Sequence, residues 1–379
     1  MGKDINGKQL PPGITQRKDG LYMGRVTYHG TTHTIYNKKL SDLKKEMTDL
    51  RHSLEHGTFI KQSKITFSDW FKEWIDTYKR PTVKAGTVDS YIKHFSAYLK
   101  EPLGNMRLAD IRAEHLQRVL NDMQGANYAD DTITLTYCVL SGVFKQAYKN
   151  ELIPKNPFSL ITRPKGRAKK ERVVFTKEQQ EIYMQYAERS YLCNLFQLAI
   201  CTGMRNGELG GLLWSDVDFK NRVIHIKHNL ITTQEQGTTL DTPKTRTSER
   251  DIPMIGKAYE ILKRQEKEYK AMYGSITKIV NDDFVFSVGG EPISKKRITH
   301  EIEVMLDNMK ADGVNFPYFT LHTTRHTFAT RCIESGMQPK VLQKLLGHAS
   351  IKTTMDRYVH VTDDSMARAV QQFETNRSA

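Results

Sequence analysis

The stretch that decides how this chain is interpreted lies near its C-terminus, where residues 344–366 read KLLGHASIKTTMDRYVHVTDDSM. His348 follows a Leu-Leu-Gly run, and Tyr358 stands ten residues later in a polar setting. A tyrosine phenol has a pKa of about 10, so forming the nucleophilic tyrosinate at neutral pH costs about 4 kcal/mol. Neighbouring cations lower that cost. The pattern therefore predicts that Arg, Lys or His side chains from elsewhere in the chain lie near Tyr358.

Residues 199–219, AICTGMRNGELGGLLWSDVDF, contain the first candidate cation. A Thr-Gly pair predicts a sharp turn after a helix over 191–201, and Arg205 then stands at the start of the next helix. There the guanidinium and the helix dipole suit a phosphate together. Glu208, three residues on, either braces that guanidinium or caps the backbone. A plain surface ion pair between Arg205 and Glu208 is the alternative.

Two further patches carry candidate cations. Lys244 lies in TPKTRTSERDIPM, between predicted strands, where it is either simply exposed or protonates a leaving oxygen. In FTLHTTRHTFATRCIESG, His322 and Arg325 share one face of a predicted helix. His326 follows Arg325 directly and points about 100° away from it on that helix. We expect His326 to be structural.

Taken in chain order, TGMRNGEL, the lysine between strands, LHTTRHTFAT, LLGH and the following tyrosine resemble the tyrosine recombinase (phage integrase) family. The integrases of conjugative transposons and Gram-positive phages are the most similar members. The resemblance covers the last unit of the chain and implies a site-specific DNA recombinase that integrates and excises a mobile element. It implies these catalytic residues: Arg205, Lys244, His322, Arg325, His348 and Tyr358.

By this resemblance, Tyr358 is the nucleophile that attacks a DNA phosphodiester, leaving a 3′-phosphotyrosyl bond and a free 5′-hydroxyl. Arg205 and Arg325 hold the non-bridging oxygens, where charge builds in the transition state. Lys244 is the general acid for the 5′-oxygen. No cofactor, metal or ATP is expected, because the arginines replace a metal ion and the phosphotyrosyl bond keeps the energy of the broken backbone.

The same resemblance gives supporting roles to other side chains. His322 and His348 hydrogen-bond the phosphate, and His322 is a candidate for helping to deprotonate the tyrosine. Glu208 supports the first arginine and His322 from behind. Two departures from the family pattern, Asn206 and Thr323–Thr324, do not touch a catalytic position.

Composition and periodicity predict a multidomain protein. Residues 1–57 predict a small three-stranded β-sheet with one helix, and 65–158 an all-α unit of four helices. A basic linker over 159–172 precedes a mixed, mainly α unit with a small β-sheet over 173–379. The resemblance makes the three folded units an arm-type DNA-binding domain, a helical, SAM-like core-binding domain and a catalytic domain.

The N-terminal unit is itself basic, with 12 Lys/Arg against 6 Asp/Glu in the first 64 residues. LYMGRVTY and THTIYNKK predict strands joined by a His-Gly turn, and Ser41 is the predicted N-cap of a helix that ends at Gly57. A basic sheet face suits a DNA groove, although a merely solvated face would look the same. The candidate DNA contacts here are Arg17, Lys18, Arg25, Lys38 and Lys39.

Further candidates for DNA contact follow in the next two segments. Side chains at predicted helix starts are placed to contact DNA phosphates, and simple exposure to solvent is the alternative. These side chains are Lys84, Thr87 and Lys93. The basic linker suits a strap along a phosphate backbone, with mere solubility as the alternative. Its cations are Arg163, Lys165, Arg167, Lys169, Lys170 and Arg172.

Secondary structure in the last unit starts with helices over 176–189 and 191–201. RVIHIKHNLITT, residues 222–233, and RDIPM, residues 250–254, predict strands. The segment between them, which carries Lys244, is a predicted hairpin loop.

Charge points to the partner. The chain carries 57 Lys/Arg against 43 Asp/Glu, a formal charge of +14, which indicates a polyanion or an ordinary basic surface. No apolar run approaches the roughly 20 residues of a membrane span, and the first residues do not read as a secretory signal. We expect a cytoplasmic, nucleoid-associated bacterial protein with no membrane partner.

The expected partner is double-stranded DNA, bound at core and arm attachment sites, on which four protomers assemble into a tetramer. An excisionase and a host DNA-bending protein are further expected partners. The tail after Tyr358 carries Met366, Val370 and Phe373 on one helical stripe. By the resemblance it docks on a neighbouring protomer, and packing on its own domain is the alternative.

Three other classes of protein fit these residues less well. A DNA-binding regulator that shares the fold would lack the tyrosine or an arginine. A type IB topoisomerase is disfavoured by the small basic N-terminal unit and the length of 379 residues. A chromosome-dimer resolvase of the Xer type lacks the extra N-terminal sheet.

Overall fold

The structure is a computed structural model. It describes residues 2–55, 64–168, 173–242, 248–254, 256–273 and 283–358, with the backbone alone for Ser53 and 356–358. The chain divides into two compact units, Met1–Lys169 and Lys170–Ala379. None of the helices in the described ranges is both long and apolar enough to cross a membrane. Within the same ranges, no group of His, Cys, Asp and Glu side chains is placed to hold a metal ion.

The first unit begins with an antiparallel three-stranded sheet and a helix, as predicted. Its elements are β1 (Ile14–Gln16), β2 (Tyr22–Tyr28), β3 (Thr31–Asn37) and α1 (Leu40–Glu55). Tyr28 pairs with Thr31, so His29 and Gly30 form a two-residue loop with φ of 44° and 78°. These positive angles fit a type I′ turn, whose twist matches that of a hairpin. Leu43 of α1 is fully buried in the small core of this sheet and helix.

The start of α1 differs from the prediction. The helix begins at Leu40, so Ser41 lies inside its first turn and the prediction of Ser41 as the N-cap is wrong. Asn37 makes the local side-chain contact instead, because its Oδ1 accepts from the backbone N–H of Lys39 at 3.0 Å. The predicted end of the helix at Gly57 lies outside the described residues.

The rest of the first unit is a helical bundle, and the four predicted helices are confirmed. Its elements are α2 (Phe67–Glu73), α3 (Ala85–His94), α4 (Lys100–Leu103), α5 (Ala113–Gly125) and α6 (Asp130–Lys149). The helices α2 and α3 continue as π-helical turns over Trp74–Lys79 and Phe95–Leu99. Aromatic rings from this pair fill the core, where Phe71 and Phe95 stack with centroids 4.0 Å apart.

The basic segment after α6 is partly folded onto this bundle. Asp130, the first residue of α6, accepts a hydrogen bond from Arg163 Nη1 at 2.7 Å and one from the Gly166 backbone N–H at 3.0 Å. Arg167 forms a β-bridge with the residue before α6. These contacts hold residues 163–167 against the bundle, which the composition did not indicate. Lys165 and Arg167 are exposed, whereas Lys169, Lys170 and Arg172 lie outside the described residues.

Packing of α6 against Trp74 is testable. An added Cβ at Gly142 would approach Trp74 Cζ2 to 2.7 Å. We expect Gly142→Ala to lower the free energy of unfolding by about 1–3 kcal/mol through overpacking, although Ala favours helix. Gly86 in α3 has open space around it, so Gly86→Ala should be neutral or stabilising by up to about 1 kcal/mol. Urea denaturation measures both variants, and equal effects would contradict this packing.

The second unit is mainly α with small antiparallel sheets, as predicted. Its helices are α7 (Lys177–Ala187), α8 (Cys193–Thr202), α9 (Asn206–Gly210), α10 (Lys257–Tyr273), α11 (Lys295–Ala311), α12 (Leu321–Glu334), α13 (Pro339–Leu346) and α14 (Ile351–Tyr358). Its strands are β4 (Val217–Asp218), β5 (Val223–Ile226), β6 (Asn229–Thr233), β7 (Gly237–Asp241), β8 (Arg250–Pro253), β9 (Ser287–Val288) and β10 (Glu291–Pro292). The two helices predicted at the start of the unit correspond to α7 and α8.

The strands around Lys244 differ from the prediction. The single strand expected over 222–233 is wrong, because β5 pairs with β8 whereas β6 pairs with the unpredicted β7. Buried Asp216 holds the break between β5 and β6, with its carboxylate 2.9 Å from His228 Nδ1 and 3.6 Å from Lys227 Nζ. Lys244 follows β7 and precedes β8 in the sequence, and these two strands belong to different sheets. It is itself outside the described residues.

The helix α8 lies in the main core of the second unit. Leu195, Phe196, Leu198 and Ala199 are all fully buried there. A second, smaller cluster joins α12 and α13 through Ala329, Cys332, Leu342 and Leu346. The C-terminal ends of α8 and α13 are thereby fixed by packing, and the candidate site is built on these two ends.

Candidate active site

The site is organised around the turn at the C-terminal end of α13, which we call the α13 turn (Leu345–His348). Leu346 is fully buried in the cluster between α12 and α13, and Leu345 packs against the main core. Gly347 ends the helix in the left-handed conformation, with φ of 63°, and an added Cβ would lie 3.2 Å from Arg250. The Leu-Leu-Gly run thus fixes the direction in which the carbonyls of this turn point.

Arginine side chains from β8, α12 and the start of α9 donate to consecutive carbonyls of the α13 turn. The pairs are Arg250 Nε with Leu345 O at 2.6 Å, Arg325 Nη2 with Leu346 O at 2.6 Å, and Arg205 Nη2 with Gly347 O at 2.9 Å. The last carbonyls of an α-helix have no partner within the helix and carry the negative end of its dipole. Cations are therefore stabilised at this end, and the turn gathers them into one place.

Glu208 joins Arg205 and Arg250. Its Oε1 accepts from Arg205 Nη1 at 2.6 Å and from Arg250 Nη1 at 3.0 Å. Its Oε2 accepts from the Arg205 backbone N–H at 2.8 Å and from Arg250 Nη2 at 2.9 Å. Glu208 thus both braces the guanidinium and caps α9. Because Glu208 is only 3% exposed, its pairing with Arg205 is not a plain surface ion pair.

The charge on Glu208 is secured by its partners. Burial opposes ionisation of the carboxyl, but the hydrogen bond and charge of Arg250, with the charge of Arg205, lower its pKa to about 2. The carboxylate is therefore ionised across the physiological range and holds both guanidiniums in place.

Arg325 is enclosed by backbone from two helix ends. It is 1% exposed, and its Nη1 donates to Gly203 O at 2.8 Å in addition to the bond to Leu346. Gly203 ends α8 with φ of 65°, and an added Cβ would lie 2.5 Å from Phe328. The Thr-Gly turn is therefore a left-handed cap that allows α12 to approach closely and presents a carbonyl to Arg325.

The predicted histidines are held differently. His348 is 7% exposed, and its Nδ1 lies 2.9 Å from the hydroxyl of Thr354 on α14. This contact ties the α13 turn to the helix that ends at Tyr358. His322 is exposed in the first turn of α12, with its ring edge-to-face against His326 at 4.7 Å between centroids. His326 is buried, in keeping with the structural part expected for it.

The structure brings together four of the predicted site residues at the α13 turn: Arg205, Glu208, Arg325 and His348. His322 lies one helical turn before Arg325 on α12. A cavity of about 620 Å³ opens beside His322, lined also by Asn206 and Asn229. Tyr358 is placed as the last residue of α14, by its backbone alone, and Lys244 lies outside the described residues.

Arg250 was not among the residues predicted from the sequence. Its side chain is 6% exposed and joins Glu208 to Leu345. A signal was present, because side chains alternate along a strand and Arg250 therefore shares a face of β8 with the buried Ile252. A charged residue on the core side of a strand indicates a specific buried partner.

The predicted DNA contacts of the N-terminal sheet lie at the surface. The exposed residues are Arg17, Lys18, Arg25, Lys38 and Lys39. Arg25 stands on β2 between the buried Gly24 and Val26, so it projects from the sheet face opposite to the core. Arg17 forms an ion pair with Asp19 at 3.2 Å.

The candidates of the helical bundle fall at both ends of α3. Lys84 immediately precedes the helix with an extended backbone, and Thr87 lies in its first turn. Lys93 lies in the last turn, so its predicted position at a helix start is wrong. It forms an ion pair with Asp89 at 2.6 Å.

Family models match both units of the chain. The model of the phage integrase family matches residues 173–365, and the model of the phage integrase N-terminal SAM-like domain matches residues 66–124. The first match spans more than half of the 379 residues and includes the α13 turn with its arginines. The chain belongs to the phage integrase family.

Individual relatives are similar over nearly the whole chain. The transposase from transposon Tn916 of Enterococcus faecalis is 28% identical, over 96% of this chain and 94% of that protein. A tyrosine recombinase XerC-like protein of Caldanaerobacter subterraneus is 27% identical, over 98% of this chain and 93% of that protein. Both alignments include the N-terminal unit for most of its length.

Solved structures share the fold. The Tn1549 transposon integrase in complex with a circular intermediate DNA aligns with a TM-score of 0.67 and 26% identity, over 83% of this chain and 100% of that chain. A lambda integrase tetramer bound to a Holliday junction aligns with a TM-score of 0.55 and 21% identity, over 94% of this chain and 98% of that chain. The second likeness concerns the fold alone.

The geometry of the α13 turn predicts an effect of Gly347→Ala. The variant combines strain at a φ of 63° with a Cβ 3.2 Å from Arg250. Gly336 has a φ of 85° and open space around it, so Gly336→Ala adds strain alone. We expect each variant to lose about 1 kcal/mol of unfolding free energy from strain, and Gly347→Ala to lose more. Urea denaturation compares them, and equal losses would contradict the crowding.

The low pKa of Glu208 predicts a stability that falls in acid. Its folded-state pKa of about 2 lies below the ordinary 4.5, so its contribution is complete above pH 5 and is lost as pH falls toward 2. At pH 3 about 2 kcal/mol should be gone. Glu208→Gln does not titrate, so the gap in unfolding free energy between the two proteins should shrink by that amount from pH 7 to pH 3. A gap that stays constant would contradict the depressed pKa.

Proposed function

We propose that this protein is a site-specific DNA recombinase, an integrase that cuts and rejoins DNA through a 3′-phosphotyrosyl intermediate to integrate and excise a mobile element. The observation that carries the proposal is the convergence of Arg205 and Arg325 on the α13 turn, ten residues before Tyr358. Family membership and the similarity to the Tn916 and Tn1549 proteins support it.

Arg205 and Arg325 hold the scissile phosphate. Each guanidinium is oriented by a carbonyl of the α13 turn. A guanidinium has five N–H donors in a fixed plane, so a carbonyl bond and a phosphate bond are compatible. Cations held in this way stabilise the charge on the non-bridging oxygens of the five-coordinate transition state without reorganising. They also stabilise the tyrosinate and offset the cost of about 4 kcal/mol of ionising a phenol at neutral pH.

The covalent steps use the remaining predicted residues. Tyr358 attacks phosphorus and the bond to the 5′-oxygen breaks, while Lys244 protonates that oxygen. His322 helps to take the proton of the phenol, and His348 hydrogen-bonds the phosphate. A 5′-hydroxyl of another strand then attacks the phosphotyrosyl bond and releases the tyrosine. Each step exchanges one phosphodiester for another, so the cycle requires no ATP.

Recombination exchanges four strands, so four protomers act on two duplexes. Residues 65–158 bind core DNA, residues 173–379 carry out the strand cleavage there, and residues 1–57 bind arm DNA through the basic face of the sheet. An excisionase and a host DNA-bending protein set the direction of the reaction, which takes place at the bacterial nucleoid. The tail with Met366, Val370 and Phe373, which lies outside the described residues, docks on a neighbouring protomer.

A nicked suicide duplex carrying the end sequence of the element that encodes the protein tests the mechanism. The wild-type protein should form a covalent adduct that survives denaturation, in the absence of Mg²⁺ and ATP. Tyr358→Phe should form none and still bind the duplex in a gel shift. Arg325→Lys should slow adduct formation by about 100–1,000-fold, because lysine cannot bridge the carbonyls and the phosphate together.

Two results would contradict this mechanism. A wild-type protein that binds the duplex and forms no adduct would belong to the class of DNA-binding regulators. An adduct that persists in Tyr358→Phe would assign the nucleophile to another residue.

A further inference from the structure

Arg250 is hydrogen-bonded to three separate segments of the second unit. It donates to both carboxylate oxygens of Glu208 and to the carbonyls of Leu345 and Ser248, at distances of 2.6–3.1 Å. These bonds employ its Nε and both terminal nitrogens, and its side chain is only 6% exposed. Arg205, by contrast, keeps 32% of its side chain exposed. Arg250 thus faces the protein, whereas Arg205 faces both the protein and the solvent.

The bonds of Arg250 close a ring. From Arg250 the ring passes through Glu208 to Arg205, then to the Gly347 carbonyl, and returns along the α13 turn to the Leu345 carbonyl. Each member is held at two points, so the ring resists rotation of any single side chain. The orientation of the Arg205 guanidinium is therefore fixed from the strand β8 as well as from its own helix.

We infer that Arg250 is a positioning residue for strand cleavage, which holds Glu208 and the α13 turn so that Arg205 presents its guanidinium to the scissile phosphate. The inference rests on the proposed function. Lysine cannot replace Arg250, because one ammonium cannot span a carboxylate and a carbonyl in the fixed plane of a guanidinium fork.

Loss of Arg250 has a specific chemical consequence. Burial would still oppose ionisation of Glu208, and the hydrogen bonds and charge of Arg250 would no longer offset it, so the pKa of Glu208 would rise. The other charged or titratable side chains at the α13 turn are Arg325, which donates to the Leu346 carbonyl, and His348, the last residue of the turn. Protonation of Glu208 would then release Arg205 as the pH falls.

The experiment measures single-turnover adduct formation on the suicide duplex from pH 8 to pH 5. The proteins are wild type, Arg250→Ala, Arg250→Lys and the double variant Arg250→Ala/Glu208→Gln. Arg264→Ala is the matched control, because Arg264 also donates to buried side chains, Asn194 and Gln197, elsewhere in the same unit. Gel shifts and thermal unfolding of each protein separate DNA binding and folding from cleavage.

We expect Arg250→Ala to slow cleavage by about 100-fold at pH 8, since small misplacement of a catalytic group costs that much. Its rate relative to wild type should fall further as the pH is lowered. In the double variant, which cannot titrate at position 208, the rate relative to wild type should not change with pH. Arg264→Ala should lower the unfolding temperature while keeping a pH-independent rate ratio. Arg250→Lys should fold, bind DNA and cleave slowly. It therefore tests the positioning role even if Arg250→Ala does not fold.

Different results overturn the inference and the proposed function. Suppose that the wild-type protein cleaves the duplex. The positioning role would then be refuted if Arg250→Lys cleaves at the wild-type rate, or if the rate of Arg250→Ala relative to wild type does not change with pH. The proposed recombinase function would stand in either case. Absence of a wild-type adduct would instead refute the proposed function itself.

Discussion

The site depends on the way one short helix ends. The last carbonyls of α13 have no partner inside the helix, and Gly347 turns the chain so that Leu345, Leu346 and Gly347 each present an oxygen to an arginine. Buried guanidiniums are costly unless they are hydrogen-bonded. The carbonyls accept these hydrogen bonds without adding negative charge. The arginine cluster therefore keeps a positive potential, which suits a polyanion.

Glu208 supplies a single negative charge where two arginines meet. One carboxylate between Arg205 and Arg250 lowers their repulsion without neutralising the site. Three of its hydrogen bonds come from the two guanidiniums and one from the Arg205 backbone N–H. Of the two arginines that share this carboxylate, Arg250 is buried and Arg205 remains partly exposed. Under the proposed function, the same arrangement would present rigid cations to a phosphate.

Local patterns predicted much of this structure, and non-local pairing accounts for the rest. Apolar stripes such as Trp70 and Trp74 fixed the helices of the bundle, and the spacing of Arg205, Arg325 and His348 indicated the site. Arg250 was not predicted because its partner Glu208 lies 42 residues away on a different element, the helix α9. The break between β5 and β6 likewise depends on Asp216 reaching His228 across 12 residues. The alternation along β8 places Arg250 on the face of the buried Ile252, but no local pattern identifies the partner in either contact.

A crystal structure of the protein with core DNA and vanadate, which mimics five-coordinate phosphorus, tests the preorganised arginine cluster most directly. The predicted result is that Arg205 and Arg325 contact equatorial vanadate oxygens while keeping their bonds to the Gly347 and Leu346 carbonyls. A complex in which these guanidiniums leave the carbonyls to reach vanadate, or in which other side chains hold it, would contradict the central claim.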